Sequence, residues 1–260
     1  MTILKIIRKP SVHLVGKQVV DSAAVRDYLS GIDACNWSTD ATPGEELIEI
    51  AGRVCYESFR NPRPGGNAAY IQHIKEVAHG SVIEHAVFSL IIAGVSRSLS
   101  HELVRHRHFS FSQLSQRYVD EADCAFVMPP AIMALPTESQ DVWIEDVDNA
   151  RGRYVSWVQA LLSSIPETVE KTERRKRARE AARSLLPNAT ETKIFVTGNA
   201  REWRWFLELR ASRYADAEIR RLALCIYDIL LDAAPNLFSD YEKVPLPDGT
   251  YELTTKCRKV

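Results

Sequence analysis

The sequence predicts a mixed α/β (α+β) fold in a single domain spanning residues 1–260. Short apolar runs typical of strands are interleaved with longer segments whose apolar residues recur at helical spacing. Hydrophobic residues make up 45% of the chain, which is enough for one large core or two small ones. No linker rich in glycine, serine and proline divides the chain, so we expect one domain.

The first part of the chain combines strands with amphipathic helices. Residues 3–20 are β-branched and apolar and are broken at Pro10, which predicts short strands, and the polar residues 21–43 predict a loop with some helix. The elements expected next are a helix at 44–57, a loop at 61–66, a helix at 67–78, a turn at His79-Gly80-Ser81, a buried strand at 84–94 and a helix at 96–107. The residues expected to face inward are Leu47, Ile50, Ala51 and Val54 in the first helix, Ile71, Ile74 and Val77 in the second, and Leu99, Leu103 and Val104 in the third. Glu102 and Arg105 are three residues apart in the third helix, so they should share a face.

The second part of the chain is mainly helical. The predicted elements are an extended piece at 126–130, helices at 138–163 and 167–186, a strand at 192–197, and helices at 199–211 and 217–233. The first of these helices carries Trp143, Val147, Tyr154, Trp157 and Leu161 along its length. Pro166 and Pro187 bound the second helix, and Pro235 follows the last. Asn199 and Asp216 are candidate N-caps, and Pro247-Asp248-Gly249 predicts a turn between two short extended segments.

The most unusual stretch is the basic segment, residues 105–117 (RHRHFSFSQLSQR). It contains three arginines, two histidines, three serines and two glutamines, with no acidic residue. So many polar groups could not all find partners in a core. Guanidinium groups and hydroxyls are well suited to phosphate, so we predict an anion-binding loop.

Histidines cluster in the same part of the chain, which raises the question of a metal site. Five of the seven, His79, His85, His101, His106 and His108, fall within thirty residues. His101 and His106 are five apart, a step of about 140° around a helix, whereas the four-residue step of a zincin helix turns by about 40°. Because the two imidazoles would point apart, we expect no metal. Contacts in the core or at a helix end are the expectation for His85 and His101, and a ligand pocket for His79 and His106.

Two other arginine-rich regions allow more than one interpretation. The basic helix, residues 171–183, could be a nucleic-acid-binding face or simply a solvated helix exterior. Arg183 differs from its neighbours because apolar residues surround it, and its anion could be a carboxylate in the core or a bound phosphate. Arg210 ends a helix rich in aromatic residues. These residues could be ordinary core, or the arginine at their edge could bind a planar heterocycle.

Charge and cysteine content restrict the class of protein. The formal net charge of -1 argues against a nucleic-acid binder by bulk electrostatics. The five scattered cysteines include no CxxC pair, which favours a reducing cytoplasm over a disulfide framework or zinc site. Cys55 and Cys225 are predicted to be core positions in helices. No apolar run reaches membrane-spanning length, so no membrane partner is expected.

The basic segment closely resembles the signature of the flavin-dependent thymidylate synthases. The pattern RHRxxSxxxxSxR is met by Arg105, His106, Arg107, Ser110, Ser115 and Arg117. The resemblance extends to HGSVIEH at 79–85, AARSLLPNATET at 181–192, TGNAREW from Thr197 and LRAS ending at Ser212, and so covers about 44–225. We therefore expect residues 1–43 and 235–260 to be peripheral. The resemblance implies a central mixed or antiparallel sheet flanked by long helices, and a homotetramer with active sites shared between subunits.

The resemblance also implies an activity: reductive methylation of dUMP to dTMP, with FAD as cofactor and NADPH and 5,10-methylenetetrahydrofolate as co-substrates. The residues implied to contact FAD are Ser81, His79, Arg105, His106, Arg107, Gln113, Asn199, Ala200, Arg201 and Trp205. The residues implied to contact dUMP are Glu102, Arg105, Gln113, Leu114, Ser115, Gln116, Arg117, Arg183 and Arg210. Arg210 would be catalytic, because its fixed charge favours ionisation of the uracil ring at N3.

Two positions depart from the family pattern, and Ser115 offers one candidate nucleophile. Trp205 stands where related enzymes often carry a hydrogen-bonding side chain at the flavin, and Gln113 stands where some carry an acid. No cysteine lies in the motif of the classical thymidylate synthase nucleophile. Ser115 is a conceivable nucleophile, but no neighbouring base is evident, so phosphate binding is preferred. The rival classes are a nucleic-acid-binding protein using residues 171–183 and a metal-dependent hydrolase using the histidine cluster.

Overall fold

The structure is a computed structural model that describes residues 4–62 and 64–260. The fold is mixed α/β, as predicted. The strands are β1 (Ile6–Ile7), β2 (Ser11–Lys17), β3 (Val87–Ser96), β4 (Ser110–Gln113), β5 (Phe126–Val127), β6 (Glu191–Asn199), β7 (Glu242–Pro245) and β8 (Tyr251–Thr254). The helices are α1 (Ser22–Gly31), α2 (Pro43–Tyr56), α3 (Gly66–Glu76), α4 (Gly80–Ile83), α5 (Arg97–Leu103), α6 (Pro130–Met133), α7 (Thr137–Ser164), α8 (Lys171–Ala182), α9 (Ala200–Arg210), α10 (Ala217–Ala233) and α11 (Pro235–Phe238).

The strands form one larger sheet and two small ones. The larger sheet has four strands in the order β2-β3-β6-β4. Strands β1 and β5 pair in parallel, with Ile6 opposite Phe126, and β7 and β8 form an antiparallel hairpin around the predicted turn at 247–249. The burial pattern of β6 alternates along its length, as expected of a strand with one buried face.

The chain divides into two compact units. Unit 1 contains the described residues up to Ser11 together with Ile92–Arg105 and Phe111–Phe195, and unit 2 contains Val12–Ile91, His106–Ser110 and Val196–Val260. Strands β3 and β6 each contribute one half to each unit. That residues 1–260 form one domain stays a prediction.

In unit 1, the long helix α7 packs against α8. Tyr154 and Val158 of α7 are buried against Ala178 and Ala182 of α8. Small alanine side chains let the two helices approach closely, and Arg174 of α8 adds a hydrogen bond from its Nη2 to the Leu162 carbonyl of α7 at 2.8 Å. Glu173 pairs with Lys176 and Arg177, and Asp120 pairs with Arg179, so much of the basic helix is already engaged in ion pairs.

In unit 2, helices α9 and α10 begin at the predicted caps. The Asn199 side chain accepts a hydrogen bond from the Glu202 N–H at 2.9 Å, and the Asp216 side chain accepts from the Glu218 N–H at 2.9 Å. Each cap provides an acceptor for an otherwise unpaired N–H, worth about 1 kcal/mol. Trp203, Phe206 and Leu207 of α9 are fully buried. The N-cap of α9 also fixes the direction of this helix, which carries the predicted residues Arg201, Trp205 and Arg210.

Several predicted element boundaries are wrong. Helix α5 ends at Leu103, so Arg105 lies beyond it and does not share a helical face with Glu102. The basic segment is not entirely loop, because β4 occupies Ser110–Gln113. Gly80 and Ser81 lie in the short helix α4 rather than in a turn. Helix α8 begins four residues later than predicted from the proline, with Glu170 as its cap.

Some predicted inward positions are also wrong. Helix α2 buries its Glu49 and Arg53 side chains as an ion pair at 2.7 Å, so its inward face is offset from the predicted apolar stripe and Val54 is exposed. The residues predicted inward or in the core that are exposed instead are Val77, Val104 and Cys55. His85 and His101 are exposed, and His101 lies in the last turn of α5, the helix-end setting that was the other expectation for it. Cys225 is only half-buried. An apolar residue at helical spacing marks a candidate face, but the partners available to that face decide which residues are buried.

Residues 1–43 and 235–260, which were predicted to be peripheral, contain strands and some buried side chains in the described structure, and their peripheral position stays a prediction. Strand β2 joins the four-stranded sheet, and Leu253 and Val260 are buried. No helix in the described ranges is both long and apolar enough to cross a membrane.

Candidate active site

The start of the basic segment is anchored in unit 2 by Phe109. Its ring lies 4.4 Å from that of Trp203, measured between centroids, and stacks on His106 at 5.9 Å. A Cβ atom on Gly198 would lie only 2.2 Å from the Phe109 ring, so only glycine leaves room for this side chain. Residues 106–109 are therefore held by an aromatic cluster, which fixes the Arg-His-Arg motif from one end.

His106 is buried against that cluster and holds Arg210. The Arg210 Nε–H donates to His106 Nε2 at 3.1 Å, so this nitrogen carries the lone pair and the proton resides on Nδ1. Burial, reinforced by the Arg210 charge, lowers the pKa of His106 to about 4. A neutral imidazole orients the guanidinium without carrying a charge of its own.

A cavity of about 620 Å³ opens beside α9 in unit 2. Its walls contain side chains of both charges and an aromatic face: Glu84, His108, Asn199, Arg201, Glu202, Trp205, Lys259 and Val260. Trp205 is 37% exposed, so part of its ring is available to a ligand. Three of the predicted flavin contacts, Asn199, Arg201 and Trp205, therefore line one cavity.

Arg201 is fixed within this cavity by Glu84 and Gly80. Arg201 Nη1 donates to Glu84 Oε1 at 2.6 Å. A Cβ atom on Gly80 would lie 2.8 Å from Arg201 Nε, so the guanidinium lies directly against the glycine backbone. The motif HGSVIEH thus provides both the space for Arg201 and its carboxylate partner. Ala200, buried at the start of α9, donates its N–H to the Ala86 carbonyl at 2.8 Å and holds the helix start in place.

The predicted flavin residues His79 and Ser81 are exposed in unit 2. His79 is the N-cap of α4, and its ring stacks on Tyr56 with an interplanar angle of 13°. Both rings line a second cavity of about 330 Å³ together with Arg53, Tyr70 and His73. Arg107 is also exposed in this unit.

The predicted substrate residues of the basic segment lie in unit 1. Gln113 Nε2 donates to Ser100 Oγ at 2.9 Å and to Thr192 Oγ1 at 3.1 Å, which ties β4 to its neighbours. Gln116 is buried, and Ser115 is half-buried with its Oγ accepting from the Arg117 N–H at 3.4 Å. The Leu114 N–H donates to the Lys193 carbonyl at 2.9 Å. These contacts hold the predicted phosphate-binding residues on and just after a sheet strand, a more rigid setting than the predicted loop.

Two arginines of unit 1 are close enough to influence each other. Arg183 is half-buried just after α8, and its charge adds to burial in lowering the pKa of Arg97.

Arg117 Nε is buried without a hydrogen bond in the described structure, although Glu180 Oε2 lies 3.5 Å away. Arg105 is exposed at the end of this stretch of unit 1, and Glu102 is half-buried in α5. Unit 1 thus contains most of the predicted dUMP contacts, and unit 2 most of the predicted FAD contacts.

Several residues that line the unit 2 cavity were not predicted as site residues. Glu84 lies in the quoted HGSVIEH motif and could have been identified as the counter-ion of Arg201. Glu202 lies in the quoted TGNAREW motif and His108 in the basic segment and the histidine cluster, but neither was predicted to contact a ligand. Lys259 and Val260 line the cavity from the far end of the chain, and nothing in their local sequence signals this. Within residues 4–62 and 64–260, no three His, Cys, Asp or Glu side chains gather in an arrangement that could hold a metal ion.

Comparison with known proteins agrees with the geometry. The sequence model of the family described as "Thymidylate synthase complementing protein" matches residues 39–236. Flavin-dependent thymidylate synthase from Mycolicibacterium vanbaalenii is 52% identical over 221 residues, which covers 84% of this chain and 88% of that protein. The same-named protein from Mycobacteroides abscessus is 48% identical, covering 89% of this chain and 92% of that one. The chain belongs to the flavin-dependent thymidylate synthase family.

A solved structure supports the fold independently. The crystal structure of a UMP/dUMP methylase, PolB from Streptomyces cacaoi bound with 5-Br UMP, matches with a TM-score of 0.64 at 21% identity, covering 91% of this chain and 95% of that chain. All predicted site residues lie between His79 and Arg210, so the family match contains every one of them. It excludes Lys259 and Val260.

Proposed function

We propose that this chain catalyses the reductive methylation of dUMP to dTMP, with FAD as its cofactor and NADPH and 5,10-methylenetetrahydrofolate as co-substrates. Family membership supports the activity. The observation that carries the assignment within the molecule is the Arg210–His106 contact at 3.1 Å, in which a buried neutral histidine orients an arginine of the predicted catalytic position. The two rival classes, a nucleic-acid binder and a histidine-dependent metallohydrolase, have no comparable support.

The unit 2 cavity fits part of FAD. It offers the half-exposed Trp205 ring for a heteroaromatic face, the Asn199 amide and Arg201 for polar groups, and a volume of about 620 Å³ within one chain. We assign Asn199, Ala200, Arg201 and Trp205 to this cofactor, together with Ser81, His79 and the motif Arg105-His106-Arg107. When bound, FAD supplies the hydride chemistry, for which proteins have no side chain of their own.

Unit 1 fits the anionic substrate. Arg117 and Arg183 provide guanidinium groups, and Ser115 provides a hydroxyl, a set suited to a phosphate monoester dianion. Arg97 adds a third cation. Burial and the nearby charge of Arg183 together lower the pKa of Arg97. Gln113, Leu114 and Gln116 complete the predicted dUMP contacts along the strand and just beyond it, and Glu102 and Arg105 precede them. A dianion between such cations would relieve their mutual repulsion.

The chain's own contribution to chemistry is electrostatic. The Arg210 guanidinium at the uracil edge would favour the ring ionised at N3. His106 prevents Arg210 from reorienting, because its Nε2 accepts from Arg210 Nε while its ring is fixed by Phe109 and Phe206. These residues would thus prepare the uracil ring for the carbon unit that methylenetetrahydrofolate supplies.

None of the cysteines takes the part of a nucleophile in this proposal. Cys55 and Cys35 are exposed, and burial raises the pKa of the Cys124 thiol to about 12, so it carries no thiolate at neutral pH. Ser115 donates no described hydrogen bond to a base, which leaves it as a phosphate ligand.

We also propose that the enzyme is a cytoplasmic, single-domain homotetramer whose active sites combine residues from several subunits.

The proposal is tested on purified protein by its visible spectrum and by product analysis. We expect flavin absorbance, and dTMP formation that requires dUMP, NADPH and methylenetetrahydrofolate together. Sedimentation should give four chains per particle. A colourless protein that takes up no added FAD would refute the proposal, and salt-sensitive oligonucleotide binding by that protein would favour the first rival.

A further inference from the structure

The C-terminal hook, which we define as residues 255–260, lines the same cavity as the predicted flavin residues. Lys259 and Val260 form part of the cavity wall, although no predicted motif contains them. Both also lie outside the family match, which ends at 236. We propose that the hook completes the FAD site and that Lys259 is a cofactor-binding residue. This inference rests on the proposed function, since it concerns the cofactor of that same enzyme.

The hook is held in place by Arg204, which is fully buried. Arg204 Nη2 donates to the Cys257 carbonyl at 3.0 Å and Arg204 Nε donates to the Val260 carbonyl at 3.3 Å. Two hydrogen bonds to Asp240, at 2.7 and 2.9 Å, fix the guanidinium in a bidentate pair. Thr255 Oγ1 donates to the same carboxylate at 2.5 Å. The start and end of the hook are thus tied to one buried ion pair.

Glu208 holds the section in between. The Lys259 N–H donates to Glu208 Oε1 at 2.9 Å, and Arg258 Nε lies 3.7 Å from Glu208 Oε2. Lys259 has a positive φ of 60°, an uncommon backbone conformation for a lysine that the surrounding contacts maintain. Because the backbone of Lys259 is fixed by this hydrogen bond at a defined φ, its side chain leaves the backbone in a defined direction.

The charges in the cavity leave Lys259 available to a ligand. Glu84 and Arg201 are paired with each other at 2.6 Å. Within the described structure the Lys259 ammonium has no hydrogen bond or ion pair, and the Glu202 carboxylate is the remaining charge in the cavity. A cation donor and a carboxylate acceptor in one cavity suit a heteroaromatic edge that alternates carbonyl oxygens with an N–H, which is the chemistry of the pyrimidine edge of a flavin. Trp205, which cannot accept a hydrogen bond, offers a ring face instead.

The test compares two lysines of the same hook. Lys259→Glu and Lys259→Gln are matched with Lys256→Glu, because Lys256 is exposed in the hook but does not line the cavity. The dissociation constant of FAD is measured on apoprotein by quenching of flavin fluorescence. We expect Lys259→Gln to weaken FAD binding roughly tenfold, the effect of one charge-assisted hydrogen bond, and Lys259→Glu to weaken it further. Lys256→Glu should bind FAD like the wild type.

A second measurement needs no variant. Amine-reactive labelling followed by mass spectrometry should show Lys259 protected by FAD and Lys256 equally reactive with and without it. If the wild type binds FAD but all three variants bind it equally and Lys259 is not protected, the inference is wrong while the proposed function stands. If the wild type binds no FAD, both fail together.

Discussion

Two arginines on helix α9 show how one side-chain type serves structure and function differently. Arg204 is fully buried, and its N–H groups donate to Asp240 and to the carbonyls of Leu237, Cys257 and Val260. Arg210, six residues later, is half-buried and donates through Nε to the neutral His106. An enclosed guanidinium whose hydrogen bonds all go to the protein stabilises the fold and holds chain segments in place, but it cannot reach a ligand. One that remains partly accessible and is oriented by an uncharged acceptor can act on a ligand.

The electrostatics of the two sites differ accordingly. Burial works against the charge of Arg204, but the hydrogen bonds and charge of Asp240 outweigh it, so its pKa is raised, and these bonds hold the pKa of Asp240 far below its usual range. At Arg210 the partner imidazole is neutral because its own pKa is lowered. Removing Arg204 should therefore cost stability, whereas disturbing Arg210 should cost catalysis.

The largest expected effect is on stability, from Arg204→Met. This change leaves Asp240 buried with Lys75 as its remaining cation, and should lower the free energy of unfolding by about 3 to 5 kcal/mol. Urea denaturation monitored by circular dichroism measures it. The double variant Arg204→Met, Asp240→Asn should recover part of the loss, since it removes the isolated carboxylate. A loss below about 1 kcal/mol would show that the two arginines do not differ as described.

A smaller effect concerns pH and His106. The pKa of about 4 in the folded protein lies below the ordinary value of 6.5, so between these values the unfolded chain takes up a proton that the folded protein excludes. Stability should therefore fall as pH drops from 6.5 to 4, with about 2 to 3 kcal/mol attributable to His106. The measurement is the difference in unfolding free energy between wild type and His106→Gln across this range. Parallel pH curves for the two proteins would mean that His106 is not held neutral.

A third expectation separates the orienting role of His106 from its bulk. His106→Leu removes the acceptor for Arg210 Nε, whereas His106→Gln can retain one. Loss of one hydrogen bond to a charged group corresponds to about 1.5 to 3 kcal/mol, so His106→Leu should slow dTMP formation by roughly 10- to 100-fold, and His106→Gln by less. Steady-state dTMP formation at saturating dUMP tests this. Equal rates for the two variants would assign His106 to packing alone.

The smallest expected effect is at Ser115. Ser115→Ala should weaken dUMP binding by about 1 kcal/mol, or roughly fivefold, while turnover at saturating dUMP persists. Titration calorimetry with dUMP and the rate at saturation distinguish the two quantities. Abolished turnover with unchanged dUMP affinity would instead identify Ser115 as a nucleophile.

Local sequence signals predicted those features that depend on neighbouring residues. The N-caps Asn199 and Asp216 and the turn at 247–249 follow from side-chain and backbone chemistry within a few positions, and they are confirmed. The inward face of α2 was predicted wrongly because the buried Glu49–Arg53 pair depends on partners elsewhere in the fold. Helical spacing alone cannot show that a charged pair is the buried one.

The candidate site shows the same division. The motifs predicted Asn199, Arg201 and Trp205, which the structure brings to one cavity. They could not reveal that His106 would face Arg210, 104 positions away, or that Lys259 would enter the flavin cavity, because both depend on tertiary packing. The aromatic cluster beside Arg210 is core, since Trp203 and Phe206 are fully buried, yet it positions His106 and so serves the site as well.

The central claim is that the oriented charge of Arg210, and no thiol, prepares the uracil ring. The most direct test is the rate of dTMP formation by Arg210→Ala, with bound FAD per chain and thermal stability measured on the same sample. We predict a fall of about a hundredfold to a thousandfold in rate, with flavin content and melting temperature close to those of the wild type. Undiminished dTMP formation by a fully flavin-loaded Arg210→Ala enzyme would contradict the account.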